Sequence, residues 1–221
     1  MKNGRIATVG YLFLLTTIWQ VEAGQITIKV EDNQGQPINQ AVVSLTPISA
    51  KAKAEARGLP ARKAQLAQRN KQFDPHIIAV QKGARVEFPN YDDIKHQVYS
   101  LSDVQPFDFM IEQGSNEQGM VFQEAGAINV GCNIHDWMLA YIFVTDTPYF
   151  GTTDENGRMT IDLPNDNTFN WHVWHPRITE DAQSSRGSLD TSTGVNTVIK
   201  MQESLLPAYD EAADLDDFDD Y

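Results

Sequence analysis

Short apolar runs separated by turn residues recur along most of this chain, and they predict strands far more than helices. In residues 25–30 the apolar positions are Ile26, Ile28 and Val30, every second residue, as on one face of a half-buried strand. Asn33-Gln34-Gly35 then turns the chain, and residues 41–45 extend again. Residues 76–80, the turn at Lys82-Gly83 and residues 85–88 continue the β pattern. Asn156-Gly157 predicts a hairpin, followed by alternating Met159, Ile161 and Leu163 and by a further strand over 169–174. Residues 51–70 are ambiguous: Ala, Lys, Arg and Gln favour a helix, while Gly58 and Pro60 interrupt it. We expect a short helix or loop to about Pro60 and then a strand. No internal repeat is visible, and the chain reads as an all-β sandwich protein.

The two ends depart from that pattern. Lys2 and Arg5 precede an apolar stretch over residues 6–19, and Val21-Glu22-Ala23 has a small-residue cleavage pattern, so residues 1–23 read as a signal peptide. The stretch contains Gly10, Thr16 and Thr17 and is short for a span of about 20 residues, which favours export over stable membrane insertion. The expected location is a bacterial periplasm. At the other end Asp210, Glu211, Asp214, Asp216, Asp217, Asp219 and Asp220 crowd together. Residues 203–221 are therefore expected to be a disordered acidic tail, with too little apolar surface to offset the entropy of ordering. Its role is solubility, or else docking to a basic partner or to the basic segment that holds Lys51, Lys53, Arg57, Arg62, Lys63, Arg69 and Lys71. A formal net charge of −13 argues against nucleic acid as a partner.

An exported chain normally pairs its cysteines, yet this one has a single cysteine. Metal ligation explains an unpaired thiol there. Cys132 lies in Gly131-Cys132-Asn133-Ile134-His135-Asp136-Trp137-Met138, where a thiolate, an imidazole and a thioether fall within seven consecutive residues. Two histidines and a cysteine with a weak axial methionine form blue-copper electron-transfer sites, because soft sulfur holds Cu(I) while imidazole suits both oxidation states. His96 is the best second imidazole, placed where a polar loop gives way to a strand. Taken singly, Cys132 reads as a buried thiol and Met138 as a core filler. Taken together, Cys-x2-His-x2-Met followed by the apolar run 139–144 argues for one mononuclear type 1 copper held by His96, Cys132, His135 and Met138. His76 reads as a surface or packing residue. His172 and His175, three apart in an extended segment, tend to opposite faces and chelate poorly together. Trp171 and Trp174 read as sandwich core or interface, with a sugar platform as the alternative.

Phe73-x-Pro75, Gly83, Phe88-x-Asn90, His96-x-Val98 and the loop Cys132-x2-His135-x2-Met138 resemble the cupredoxins of the plastocyanin and amicyanin group. The two-residue spacing between His135 and Met138 is similar to amicyanin. The longer strings around Phe88, His96 and Cys132 resemble periplasmic proteins labelled "methylamine utilization protein". Residues 25–47, with Asp32-x2-Gly35-x-Pro37, and residues 151–176, with Asp154-x2-Gly157, resemble the halves of a carboxypeptidase-regulatory or transthyretin-like sandwich. The resemblance implies a Greek-key cupredoxin sandwich over 62–146, inserted between flanks at 24–50 and 147–202, with a basic linker or short helix at 51–61. It also implies imidazole ligation by His96 and His135, thiolate ligation by Cys132 and a long axial contact from Met138. Gln97 stands where better-known members have a residue that braces the cysteine loop, though its backbone N–H can still donate to the Cys132 sulfur. Ile134 and Asp136 replace prolines of amicyanin. The electron route is expected at the edge of His135, through an apolar patch of Trp137 and Ile134. Asp136 is expected to raise the His135 pKa.

Nothing in the sequence supplies an acid–base pair, an activated nucleophile or a phosphate loop, so the chain reads as a redox protein and not an enzyme. Its expected partners are a protein electron donor and a protein acceptor. The alternatives are a periplasmic copper-handling or copper-sensing protein, and a sandwich module that binds a glycan or peptide through its flanks.

Overall fold

The computed structural model describes residues 23–115, 118–165, 167–179, 186–193 and 196–207. The expected signal segment through residue 22 and the acidic run from Asp210 onward lie outside the described residues. The chain opens with β1 (Ala23–Glu31), β2 (Val42–Pro47) and α1 (Ala50–Arg57). Next come β3 (Ala64–Gln65), β4 (Ala67–Arg69), β5 (Gln72–Asp74), β6 (Ile77–Gln81), β7 (Arg85–Glu87), β8 (His96–Ser100) and β9 (Phe107–Ile111). They are followed by β10 (Gly119–Val121), β11 (Gly126–Cys132) and β12 (Leu139–Thr145). The last strands are β13 (Phe150–Thr152), β14 (Arg158–Pro164), β15 (Thr168–Trp174), β16 (Arg186–Asp190) and β17 (Asn196–Lys200).

These strands form an all-β architecture with two sandwiches. In the first, the sheet β6-β12-β11-β8-β9 shares a core with the sheet β10-β7-β3. Phe88, Val98, Phe122, Ile128, Val130 and Ile142 fill it, all at 0% exposure. In the second, β14-β1-β17 packs on β13-β2-β15-β16 around Ile28, Leu45, Leu163, Phe169 and Val173. The second sandwich takes strands from both sides of the first along the chain, since β2 pairs with β13 and β15, and β1 with β14 and β17.

Strand β12 explains its own composition. Ala140, Ile142 and Val144 face the first core, while the alternate residues Tyr141 and Phe143 face outward. There Phe143, Ile77 and Val42 are buried in a third cluster flanked by Tyr141 and Trp174, which is the seam between the sandwiches. A strand buried on both faces needs apolar residues at every position, and residues 139–144 supply them. The Trp174 and Phe143 rings stack at 5.0 Å across the seam, and Trp171 packs against the second core.

The ambiguous segment begins with a real helix. The Ser49 hydroxyl accepts from the Ala52 N–H at 3.1 Å, Ala52 and Ala56 are buried, and Gly58 ends the helix. The turn at Asn156-Gly157 is also real, but it does not make a hairpin. The Asp154 carboxylate accepts from the N–H groups of Asn156 and Arg158, yet β13 then pairs with β2 and β14 with β1, in different sheets. The reason is the approach of β1. The Val30 N–H donates to the Gly157 carbonyl at 2.8 Å, and a Cβ at Gly157, whose φ is +71°, would lie 2.5 Å from the Val30 carbonyl oxygen. The first residues of the expected tail are also tied down: the Ser204 hydroxyl bonds Asp32 and Asn33, and the Leu206 N–H donates to the Arg177 carbonyl. Among the described residues no helix is long and apolar enough to cross a membrane.

Candidate metal centre

Strand register brings His96 and Cys132 together. Cys132, the last residue of β11, lies opposite Val98 of β8, and His96 begins β8 two residues earlier. Residues two apart in a strand share a face, so the His96 imidazole and the Cys132 thiol both turn inward. Loop 133–138 then folds back over the end of β11. The Met138 N–H donates to the His135 carbonyl at 3.0 Å, and the Cys132 N–H to the Met138 carbonyl at 3.3 Å. His135 is thereby set against the thiol, and Met138 is buried in the same cluster as Cys132. The Cys132 Sγ lies 3.6 Å from the His96 Nδ1 and 3.8 Å from the His135 Nδ1. Exposure is 0% for His96, 3% for Cys132, 2% for Met138 and 9% for His135.

The chain braces this cluster from behind. The Asp92 Oδ2 lies 2.9 Å from the His96 Nε2. A carboxylate accepts, so Nε2 carries the proton and the Nδ1 lone pair faces the thiol. Asp92 is held in turn by the N–H groups of Asn70 and Lys71, at 2.6 and 3.0 Å. Those two residues form the tight turn between β4 and β5, with φ of 54° and 57°. Buried Asn90 ties the same loop: its amide donates to the carbonyls of Ile94 and Glu112, and its Oδ1 accepts from the Asp92 N–H. Gln97 braces the cysteine loop differently from the sequence expectation. Its carbonyl accepts from the Asn133 N–H at 2.9 Å, and its side-chain oxygen accepts from the Asn133 amide at 3.1 Å. Asp92 is the contributor that sequence reasoning missed. Its signal was a carboxylate four residues before the candidate histidine.

The donors fit a metal. Bonds of about 2.0 Å from imidazole nitrogen and about 2.3 Å from thiolate sulfur, opened to roughly 120°, set nitrogen and sulfur about 3.7 Å apart. The two observed separations bracket that value. Among the described residues, His96, Cys132 and His135 are the group of three whose ligand atoms lie within 4.8 Å of one another. Two imidazoles and a thiolate with a buried methionine beside them fit one type 1 copper site.

His135 lies toward the surface side of the cluster. Trp137 and Ile134 beside it are 48% and 45% exposed, and the Trp137 ring centroid is 5.2 Å from that of His135. The Trp137 indole N–H donates to the Lys71 carbonyl. Asp136 acts on His135 in the expected direction, but other effects outweigh it. Burial pushes the His135 pKa below its ordinary value and nearby His96 and Lys71 add to this, while Asp92 and Asp136 only oppose it. The other histidines lie elsewhere: His76 packs edge-on against Tyr141, His172 tilts against Phe143, and His175 is buried after β15.

No family model matches the chain, and neither does any curated protein. Solved structures do match. A purple cupredoxin from Nitrosopumilus maritimus is 20% identical, with 37% of this chain and 99% of that one covered, at a TM-score of 0.34. Amicyanin from Paracoccus versutus is 18% identical, with 47% and 97% covered, at 0.35. A copper-containing nitrite reductase from Thermus scotoductus SA-01 is 24% identical, with 45% and 25% covered, also at 0.35. At these identities and scores the likenesses decide nothing about activity, and the case for copper rests on the donor set.

Proposed function

We propose that this chain is a blue-copper electron-transfer protein whose one mononuclear site would be held by His96, Cys132 and His135, with Met138 as the fourth residue. The observation that carries the reading is the buried pair of Nδ1–Sγ separations, 3.6 and 3.8 Å, already set by strand register and loop hydrogen bonds. Copper bound there supplies one-electron chemistry between Cu(II) and Cu(I). The chain's part is to keep the donors still. Asp92 orients His96, Asn90 holds the loop that carries both, and the core around Cys132 excludes water from the thiolate. Electrons enter and leave at the His135 edge, through the apolar patch of Ile134 and Trp137. A protein donor and a protein acceptor use that patch, in the periplasm, after removal of the signal segment. We place the chain with the carriers and not the enzymes, since the buried cluster offers no acid–base pair for a bound substrate. The sequence resemblance to methylamine utilization proteins and to transthyretin-like flanks belongs to the same reading.

Copper handling is the second reading, and burial counts against it. Delivery needs ligands that a recipient can reach, whereas His96 and Cys132 are almost fully enclosed. The two readings separate in one experiment, in which the loaded protein is cycled by voltammetry and then mixed with a strong Cu(I) chelator. A reversible one-electron wave with slow copper loss is expected for a carrier. Rapid and complete loss without a reversible wave would favour delivery and remove the carrier.

A further inference from the structure

Where the two sandwiches meet beside the metal centre, a groove of about 850 Å³ opens, within the size range of ligand pockets. Its walls include His76, Trp137 and Tyr141 from the first sandwich, His175 and Arg177 from the second, and Pro207. The proposed function uses only Trp137 of these.

The groove has a specific set of polar groups. Arg177 makes no ion pair among the described residues, in a chain whose net charge is −13. Its Nε is buried without a hydrogen-bond partner, and it is the one such side-chain nitrogen among the described residues. The His175 Nδ1 accepts from the Arg177 N–H at 3.2 Å, so Nε2 carries the proton and is a donor. Burial first, and then Arg177 and His76, lower the His175 pKa to about 4, so the ring is neutral at pH 7. The His76 Nδ1–H donates to the Leu139 carbonyl at 3.0 Å, which leaves its Nε2 as an acceptor. Beside a cation and an N–H donor stand the aromatic rings of Trp137 and Tyr141 and the aliphatic Ile38 and Leu139.

We propose that this groove binds a carboxylate carried on an aromatic or aliphatic body, with Arg177 and His175 holding the carboxylate and Trp137 and Tyr141 covering the body. Guanidinium matches carboxylate in charge and in planar, forked geometry. The same chemistry is available from two sources. One is a free organic acid. The other is this chain, because Pro207 lines the groove and the sequence beyond it places carboxylates next to apolar residues at Tyr209-Asp210, Leu215-Asp216 and Phe218-Asp219. A ligand there touches Trp137, whose ring packs on His135, so occupancy is readable at the metal centre as well.

The test is a titration of the full, reduced chain with phenylacetate, acetate and benzylamine, followed by NMR of the Trp137 indole and the His76 and His175 ring protons. A parallel chain has Asp210, Glu211, Asp214, Asp216, Asp217, Asp219 and Asp220 changed to their amides. Saturable shifts with phenylacetate, about tenfold weaker binding of acetate and none of benzylamine are expected, with Arg177→Gln weakening phenylacetate by about tenfold or more. Tighter phenylacetate binding by the amide chain would identify the chain's own acidic segment as the competing occupant, and equal binding would identify a free acid. No saturable shift in either chain, or equal affinity for benzylamine, overturns the proposal without any appeal to the fold of the Arg177 variant.

Discussion

Asp92 shows how much of the centre depends on a residue that does not touch the thiol. Its carboxylate fixes the proton of buried His96 on Nε2, and the N–H groups of Asn70 and Lys71 fix the carboxylate. Burial opposes ionisation of Asp92, and the hydrogen bonds from Lys71, His96 and Asn70 outweigh it, so its pKa is lowered. Partners of this kind typically account for about 10- to 100-fold in metal affinity. We expect Asp92→Ala to weaken copper binding by that amount in a competition titration, while the far-UV circular dichroism stays that of the parent. Unchanged affinity would mean that packing alone orients His96. The candidate donors were legible in the sequence because their spacing is local, with two residues between Cys132 and His135 and two between His135 and Met138. Asp92 was not, because its role depends on a turn about twenty residues earlier that only the fold brings near it.

At the scale of elements, that turn matters most. The hairpin of β4 and β5 escaped the sequence reading because residues 67–74 show no alternation, and Lys71 is an unusual residue to hold a φ of 57°. An L-residue with a side chain is disfavoured in that region by roughly 1–2 kcal/mol, part of which glycine would return in lost unfolded-state restriction. Lys71→Gly should therefore raise stability by up to about 1 kcal/mol in urea unfolding while leaving the Asp92 contacts, which use backbone N–H groups, in place. A loss of stability would show that the Lys71 side chain contributes more than the turn geometry costs. Asn156-Gly157 carries the opposite lesson. Its turn chemistry was read correctly, but local residues do not choose sheet partners, and the close approach of β1 at Gly157 sends the flanking strands into different sheets. Strand β12 was legible as an apolar run from its composition. Only the seam shows why both faces are apolar.

The whole molecule holds its centre at the edge of one sandwich and leans that sandwich on another. Phe143 joins them, 8% exposed and in ring contact with both Trp174 and His172. Removing a buried phenylalanine typically costs about 3–5 kcal/mol. Phe143→Ala should lower the unfolding midpoint accordingly, and it should do so for probes in both sandwiches if they unfold together. A shift seen by probes of the second sandwich alone would mean that the seam does not couple them. The central claim concerns the donors themselves, and the most direct test of it is visible absorption with EPR on the chain titrated with Cu(II), beside Cys132→Ser. An intense thiolate-to-copper charge-transfer band with narrow copper hyperfine splitting at one equivalent, both lost in the variant, is the predicted result. A colourless protein, or one whose copper signals are ordinary tetragonal ones and survive the substitution, would contradict it.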